Sequence, residues 1–277
     1  MPELPELEVV REVLNRRVVG QTITEVKVFP PGGPIVVRDL TYNGFEAALV
    51  GKSIAGIIRR GKFLIFSFDR PELFLALNPK LTGRLQLTSP SEKRLAKTHV
   101  IFTFANGGQL RYHDQKKMGQ LYLTHNLDSI PDYSGLGPEP FEVPLEQFRA
   151  RLKPFNGEIK GILTRGQFIA GIGNAYADEI LWSARIHPYR KRSQLDPEEV
   201  ERLYAAMRTT LSEAIEKIRV QMGESIQLEP REFMNIHMKT GQPCPRCGGP
   251  IALVSANQRI TNFCRTCQPG GLIKGMG

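Results

Sequence analysis

Apolar residues recur at helical spacing close to the start of the chain. Leu7, Val10 and Leu14 repeat at intervals that place them on one face of a helix. Gly20 follows them, and glycine is the residue that most readily ends a helix in the left-handed conformation. The pattern predicts one amphipathic helix over residues 5–19.

The segment that follows has the pattern of strands. Short runs alternate apolar and polar residues or are rich in β-branched and aromatic side chains, and glycine and proline separate them. These runs predict strands over residues 22–28, 53–59, 63–68, 73–77, 84–87, 99–104, 109–112 and 120–123. We therefore expect an antiparallel β-sandwich or barrel preceded by one helix.

Helical periodicity dominates the next part of the chain. The tract 131–144 is rich in proline, glycine and acidic residues and indicates a linker. Beyond it the pattern predicts helices over 145–153, 157–166 and 175–184, and a longest helix that Asp196, Pro197 and Glu199 open as N-cap, first-turn proline and capping-box glutamate. We expect an α+β protein with a sandwich domain at 1–131, a linker at 132–144, a helical domain at 145–232 and a C-terminal module at 233–277.

The charge balance points to a polyanionic partner. The chain has 277 residues, a formal net charge of +9 and a pI near 9.5. No Asp or Glu follows Glu232, so the basic residues of the C-terminal segment are not neutralised locally. Nucleic acid or an acidic membrane surface would suit this excess. No apolar run approaches the ~18 residues of a membrane span, and the acidic start is unlike a secretory signal, so we expect an intracellular protein.

The four cysteines predict a metal site. Cys244 and Cys247 form one Cys-x2-Cys pair, and Cys264 and Cys267 form a second pair after sixteen residues. Two such pairs supply a tetrahedral shell of four thiolates, which is typical of one structural zinc ion with no open position for a substrate. Two disulfides are the alternative, which suits a secreted chain. The intervening residues predict a zinc-finger β-hairpin with Arg259 near its tip.

The first residues suggest covalent chemistry. If Met1 is removed, Pro2 becomes an N-terminal secondary amine, and an amine near its unperturbed pKa of roughly 7.7–8 can attack a sugar carbon and form a Schiff base. Glu3 is held beside it by the chain and could act as acid or base. In the alternative interpretation Pro2 and Pro5 only open a helix.

Five motifs together resemble the formamidopyrimidine-DNA glycosylase family, the bacterial base-excision enzymes whose relatives include endonuclease VIII. The resemblance runs from Pro2 to about Cys267. The motifs are Met1-Pro2-Glu3-Leu4-Pro5-Glu6, Arg59-Arg60-Gly61-Lys62-Phe63, Leu136-Gly137-Pro138-Glu139-Pro140, the segment from Ala170 to Glu179, and the four-cysteine finger with Arg259. All five occur in the family's order over nearly the whole chain.

The resemblance implies roles for the N-terminal residues. Pro2 would attack C1′ of a damaged nucleotide, and Glu3 would protonate the departing sugar oxygen and shuttle protons. Lys62 would contact the phosphate beside the lesion and assist strand cleavage by elimination, although by itself it could be an ordinary surface lysine. Glu6 resembles the family's second acidic residue, which positions the helix behind the active site.

The resemblance also implies contacts with damaged double-stranded DNA. Asn174 would open a helix after a glycine turn, where backbone N–H groups suit a phosphate, and Lys160 matches a family lysine that faces the same phosphate region. Arg259 would grip the phosphate flanking the lesion and assist the second elimination. Lys97 stands where relatives often carry a histidine. A monomer in the cytoplasm, associated with a bacterial nucleoid and without a membrane partner, is the implied setting.

The chain departs from the family where residues fill the space of an extruded base. The usual Met, Arg and Phe are replaced by Leu81, Lys116 and Met118. Lysine lacks the planar fork with which arginine pairs with an orphaned cytosine. The segment 223–237 also looks shorter than the relatives' loop over 8-oxoguanine. These changes bear on the preferred lesion and the opposite base.

Three hypotheses follow. The first is a bifunctional DNA glycosylase and apurinic/apyrimidinic lyase that removes oxidised purines (8-oxoguanine and formamidopyrimidines) and cleaves the strand by β,δ-elimination. The second is an endonuclease VIII-like preference for oxidised pyrimidines or another lesion; Leu4 argues against it, because that branch usually has glycine there, and the short segment argues for it. The third is a zinc-finger protein that binds damaged DNA without catalysis. The presence of Pro2, Glu3 and Lys62 argues against it, because a binding module has no evident need for an N-terminal proline.

Overall fold

The computed structural model describes residues 1–69, 72–256 and 259–270. These residues form two compact units. The first consists of residues 1–135 and 215–230, and the second of residues 136–214 and the described residues from 231 onwards. The domain limits that we expect from the sequence, at 131, 144 and 232, stay a prediction.

Helix α1, Leu4–Val18, opens the first unit. Pro5 lies in its first turn, where a missing N–H costs no helical hydrogen bond, and the backbone N–H of Glu3 donates to Oε2 of Glu6 at 2.9 Å. The apolar face of the helix is buried. Gly20 follows the helix with φ of +81°, a backbone conformation that favours glycine. The helix predicted over 5–19 is confirmed.

Two sheets form the body of the first unit. Their strands are β1 Ile23–Val28, β2 Val37–Asp39, β3 Ile54–Arg60, β4 Phe63–Phe68, β5 Phe74–Asn78, β6 Gly83–Thr88, β7 Thr98–Phe104, β8 Gln109–Asp114 and β9 Gln120–Thr124. One sheet has the order β1-β7-β8-β6, and the other has the order β2-β9-β5-β4-β3. β2 pairs with β9 in parallel, and the other neighbours pair antiparallel. The antiparallel architecture predicted from the sequence is confirmed.

Three short elements between β1 and β3 escaped the sequence analysis. They are β2 and the helices α2 Gly33–Val36 and α3 Phe45–Leu49. Each is shorter than two helical turns or four strand residues, so no period of hydrophobicity can show. Tertiary contacts define them instead, as where the Phe45 ring packs 6.4 Å from the Phe102 ring between centroids.

Helix α1 is fixed on the second sheet, where it packs against β3 and β4. Asn15 Nδ2 donates to the carbonyl of Ile57 at 2.7 Å, and the Ile57 N–H donates to Asn15 Oδ1 at 3.2 Å. β4 is buried along most of its length, as expected for a strand covered on both faces. The start of the chain is therefore held on the sheet by polar and apolar contacts together.

The second unit is helical. Its helices are α4 Leu145–Leu152, α5 Ile159–Leu163, α6 Asn174–Ser183 and α7 Pro197–Met222, of which α7 ends in residues counted with the first unit. Asp196 and Glu199 form the predicted capping box, since Glu199 N donates to Asp196 Oδ1 at 2.8 Å and Asp196 N donates to Glu199 Oε2 at 3.1 Å. α5 begins later than predicted because Gly157 has φ of +107° and Glu158 is extended, and it ends at Leu163 rather than at 166. Single 3₁₀ turns occur at Leu127–Ser129 and Arg192–Gln194.

The C-terminal module is a hairpin of β10 Ile251–Ala256 and β11 Arg259–Cys264, paired antiparallel. Its buried cluster is small and contains Ile236, Cys244, Ile251 and Cys264, with Trp182 packed against it. Among the residues that the structure describes, no helix is both long enough and apolar enough to cross a membrane.

Candidate functional site

The start of the chain lines a cavity in the first unit. Pro2 and Glu3 are buried. The cavity wall is otherwise mostly apolar, and its polar side chains are acidic or basic. The lining residues are Pro2, Glu6, Leu7, Val10, Leu64, Leu77, Pro79, Gly83, Arg84, Leu85, Met222, Ile226, Leu228 and Glu229. A ligand in this cavity would therefore meet Pro2 between hydrophobic walls and a few charged groups.

Two of these charged residues, Arg84 and Glu229, were not identified by the sequence analysis. The α-amino group of Met1 donates to Oε1 of Glu229 at 2.8 Å. The same carboxylate forms an ion pair with Arg84 of β6. No motif marks either residue, because their partners lie far along the chain. While Met1 is present, the Pro2 nitrogen belongs to a peptide bond, so an amine at Pro2 requires removal of Met1.

Lys62 lies in the tight turn between β3 and β4 and is half-buried. Gly61 in that turn has φ of +56°. Before the turn, Arg59 donates from Nε to Oε2 of Glu8 at 2.7 Å. Burial opposes the ionisation of Glu8, but hydrogen bonds from its arginine neighbours outweigh this effect and lower the pKa of its carboxyl. The turn that carries Lys62 is thus tied to α1.

The residues expected to fill the space of an extruded base lie on two loops. Leu81 is in the β5–β6 loop, and Lys116 and Met118 are in the β8–β9 loop; all three are exposed. Thr82 Oγ1 accepts from the N–H of Lys116 at 2.9 Å and also bonds Asp114. The structure therefore ties together the loops that carry all three residues.

Asp114 is the centre of this tie. Its Oδ2 accepts from Gly119 N at 2.8 Å and from the Tyr112 hydroxyl at 3.2 Å. Burial opposes its ionisation, but the accepted hydrogen bonds outweigh this effect and lower the pKa of the Asp114 carboxyl. Position 119 needs glycine, because a Cβ there would lie 1.9 Å from the Tyr112 hydroxyl. Lys97, exposed and with φ of +60°, accepts at its carbonyl from Asp114 N at 3.0 Å.

In the second unit, Lys160 is buried and fully engaged. Its Nζ pairs with Oδ1 of Asp178 at 2.6 Å, donates to Thr261 Oγ1 at 2.8 Å and donates to the carbonyl of Ile260 at 3.1 Å. Asn174, the first residue of α6, donates from Nδ2 to the same Ile260 carbonyl at 2.8 Å. Two residues expected at a phosphate thus meet at the strand that begins with Arg259. The side chain of Arg259 lies outside the described residues.

Two carboxylates on α6 organise this region and were not singled out from the sequence. Asp178 pairs with Lys160 and hydrogen-bonds Nδ1 of His237 at 2.8 Å. Glu179 accepts the backbone N–H groups of residues 235, 236 and 237 at 2.8–2.9 Å. Their adjacency in the motif from Ala170 to Glu179 was the signal available. Both carboxylates are buried. They therefore hold in place the segment 235–237 that precedes the finger, and they do not contact solvent.

The four cysteines are positioned to bind one zinc ion. Their sulfur atoms all lie within 4.8 Å of one another. The separations are 3.9 Å for Cys244 and Cys267 and 3.4 Å for Cys247 and Cys264. Thiolates ~2.3 Å from one tetrahedral ion would lie roughly 3.8 Å apart, whereas a disulfide needs ~2.05 Å. The prediction of one structural zinc ion is confirmed, and no position of the shell is left for a substrate.

Three family models match successive parts of the chain. The formamidopyrimidine-DNA glycosylase N-terminal domain matches residues 1–121, the formamidopyrimidine-DNA glycosylase H2TH domain matches residues 136–224, and the zinc finger found in FPG and IleRS matches residues 241–270. The three models follow one another in the order of the sandwich, the helices and the finger.

Individual relatives match over the same length. The formamidopyrimidine-DNA glycosylase of Enterococcus faecalis is 38% identical over 280 residues, with 97% of each chain covered. That of Pelotomaculum thermopropionicum is 37% identical over 277 residues, with 97% of this chain and 99% of the relative covered.

Solved structures agree with these matches. Lactococcus lactis Fpg in complex with DNA containing an abasic site has a TM-score of 0.86 at 32% identity, over 97% of this chain and all of that one. MutM in complex with DNA containing carbocyclic 8-oxo-G has a TM-score of 0.84 at 34% identity over the same shares.

Proposed function

Since the chain belongs to the formamidopyrimidine-DNA glycosylase family, we propose that it excises oxidised purines from double-stranded DNA and then cleaves the strand as a lyase. The observation that carries the proposal is the burial of Pro2 in the wall of a cavity that α1, β6 and the segment after α7 enclose. An N-terminal amine at that point would face a flipped nucleotide between apolar walls. Flipping itself costs a few kcal/mol, which the phosphate contacts must offset.

The chemistry follows from an amine at Pro2. Its nitrogen forms a bond to C1′ while the bond from C1′ to the base breaks, and the proton that the nitrogen gives up leaves with the base. Glu3, as general acid, protonates the sugar ring oxygen, which opens the ring and leaves an iminium. Loss of a 2′ proton then expels the 3′ phosphate, a second elimination expels the 5′ phosphate, and water releases Pro2. Lys62 would hold the phosphate next to the reacting sugar.

The second unit supplies backbone contacts in this proposal. Asn174 at the start of α6 and Arg259 at the start of β11 would bind phosphate oxygens, which position the duplex without reading its sequence. The ion pair between Lys160 and Asp178 favours a positioning role for Lys160, which supports β11 through the Ile260 carbonyl.

Lesion preference is assigned to the tied loops. Leu81, Lys116 and Met118 would enter the space of the extruded base, because they are exposed and because Asp114 and Thr82 hold their loops together. The relative solved with carbocyclic 8-oxo-G supports purines as the first substrates. Ile226 and Leu228 of the short segment 223–237 line the cavity together with Met222, the last residue of α7. Because this segment is short, an oxidised pyrimidine is the competing outcome.

Borohydride trapping tests the proposal. Protein whose Met1 has been removed, as verified by mass spectrometry, is incubated with duplexes carrying 8-oxoguanine, an oxidised pyrimidine or an abasic site. We expect covalent trapping on the abasic duplex, loss of trapping in Pro2→Gly with Met1 retained, and no loss in Pro5→Ala, which changes the proline in the first turn of α1. Wild-type protein that binds damaged DNA and never traps would contradict the proposal. The three duplexes rank the substrates.

A further inference from the structure

The N-terminus of the first unit has an acidic partner that the family assignment leaves without a role. The Glu229 carboxylate accepts a hydrogen bond from the α-amino group of Met1 at 2.8 Å, and the Glu229 side chain is 15% exposed. Met1 and Glu229 are 228 positions apart in the chain. Glu229 also lines the cavity together with Pro2. The carboxylate that binds the α-amino group of Met1 therefore lines the same cavity as Pro2, whose nitrogen becomes the N-terminal amine once Met1 is removed.

Arg84 holds this carboxylate in place. It extends from β6, forms an ion pair with Glu229, and also lines the cavity. The side chains of both residues are 15% exposed. A partly buried pair keeps more of its attraction than a surface pair, since less water screens it. Glu229 therefore has a fixed position even though the segment that carries it has no helix or strand.

We propose that Glu229 is the positioning residue of the nucleophile: after Met1 is removed, its carboxylate, braced by Arg84, holds and orients the amine of Pro2. The inference rests on the proposed function, because only a catalytic amine needs to be oriented. The carboxylate attracts the amine in its ammonium form and keeps it at the cavity wall. Once the amine has lost its proton, the carboxylate still accepts the remaining N–H, which fixes the direction of the lone pair.

The charges around this amine set the sign of the expected effects. Glu3 follows Pro2 directly in the chain. Glu6 of α1, Arg84 of β6 and Glu229 of the segment after α7 line the cavity together with Pro2. A nearby carboxylate raises the pKa of an amine, and a nearby guanidinium lowers it. Replacing Glu229 by a neutral residue should therefore lower the pKa of the amine, and replacing Arg84 should raise it.

The test is the pH profile of borohydride trapping on an abasic duplex, with Met1-free protein. In Glu229→Gln we expect a lower plateau rate, because the orientation of the amine is lost. We also expect the midpoint to lie about one pH unit below that of the wild type, which corresponds to a tenfold larger neutral fraction of the amine at low pH. In Arg84→Gln we expect the midpoint to move upward. Glu229→Asp, which keeps the charge, should restore the wild-type midpoint.

The matched control is Glu224→Gln, in the same segment. Glu224 pairs with Arg16 and Arg17 on the surface, with its side chain 54% exposed, so the midpoint should not move. Unfolding by urea separates loss of folding from loss of positioning. If the wild type traps and the midpoints of Glu229→Gln and Arg84→Gln equal its own, the inference is wrong. If the wild type itself does not trap, the proposed function is wrong.

Discussion

The candidate active site of the first unit and the polar network of the second unit use buried charges in opposite ways. In the first unit, Glu229 and Arg84 pair at the wall of a cavity beside Pro2. In the second, Lys160 and Asp178 pair inside a closed set of contacts with the finger strand. Charges that line a cavity can still act on a ligand, whereas charges that are fully paired can only hold structure.

The two regions also differ in what stabilises them. The first unit has two sheets and a helix that bury many large apolar side chains. The finger has a cluster of four buried residues, two of which are zinc ligands. The finger therefore depends on its metal and on paired charges, whereas the first unit depends on hydrophobic burial.

Removal of zinc should have the largest effect and should separate the two regions. In Cys264→Ser, or after chelation, we expect β10 and β11 to lose their protection from hydrogen exchange and DNA binding to fall, while the strands of the first unit keep theirs. Binding of zinc supplies about 10–16 kcal/mol of apparent folding free energy in zinc-finger peptides. Thr266→Ser, an exposed change in the same finger, is the control. Unchanged protection in a metal-free finger would contradict this prediction.

Breaking the buried pair should have the next largest effect. Asp178→Asn leaves the Lys160 ammonium buried without its counter-charge, which costs about 3–5 kcal/mol in comparable pairs. The single tryptophan of the chain, Trp182, donates to Cys244 Sγ at 3.4 Å, so its fluorescence reports unfolding of this region in urea. Glu146→Gln, which removes a surface pair with Arg149, should cost at most about 1 kcal/mol. Equal costs for the two variants would show that Lys160 is not held as a buried charge.

A smaller effect is expected at the tied loops of the first unit. The pKa of Asp114 is lowered in the folded protein, so its stabilising contribution is present above the ordinary pKa of about 3.9 and is lost as pH falls through the folded value. Asp114→Asn should cost about 1.5–3 kcal/mol at neutral pH, the range for hydrogen bonds to a charged group. Below about pH 4, the protection of β6 and β8 from hydrogen exchange should also depend less on pH in Asp114→Asn than in the wild type.

The control for this prediction is Asp128→Asn, an exposed aspartate of the same unit, which should leave both the stability and its pH dependence unchanged. An acid profile of Asp114→Asn that matches the wild type would place the titrating group elsewhere.

Most of the regular fold could be predicted because long elements carry a period. Helix α1 and the capping box at Asp196 lie where the local pattern placed them, and the predicted strands agree with the observed ones to within two residues at each end. The short elements around Val37–Asp39 could not be predicted, because tertiary contacts rather than local preference define them.

By itself the sequence determined the features whose partners are close in the chain or fixed by spacing. The four zinc ligands follow from two Cys-x2-Cys pairs. Pro2 is the candidate nucleophile because it directly follows Met1. Only the tertiary structure decided which charges meet. Lys160 meets Thr261, 101 positions away, and Met1 meets Glu229, 228 positions away. The physical reason is that a charge pair has no period and no spacing, so nothing local identifies the partner until the packing of the core brings the two side chains together.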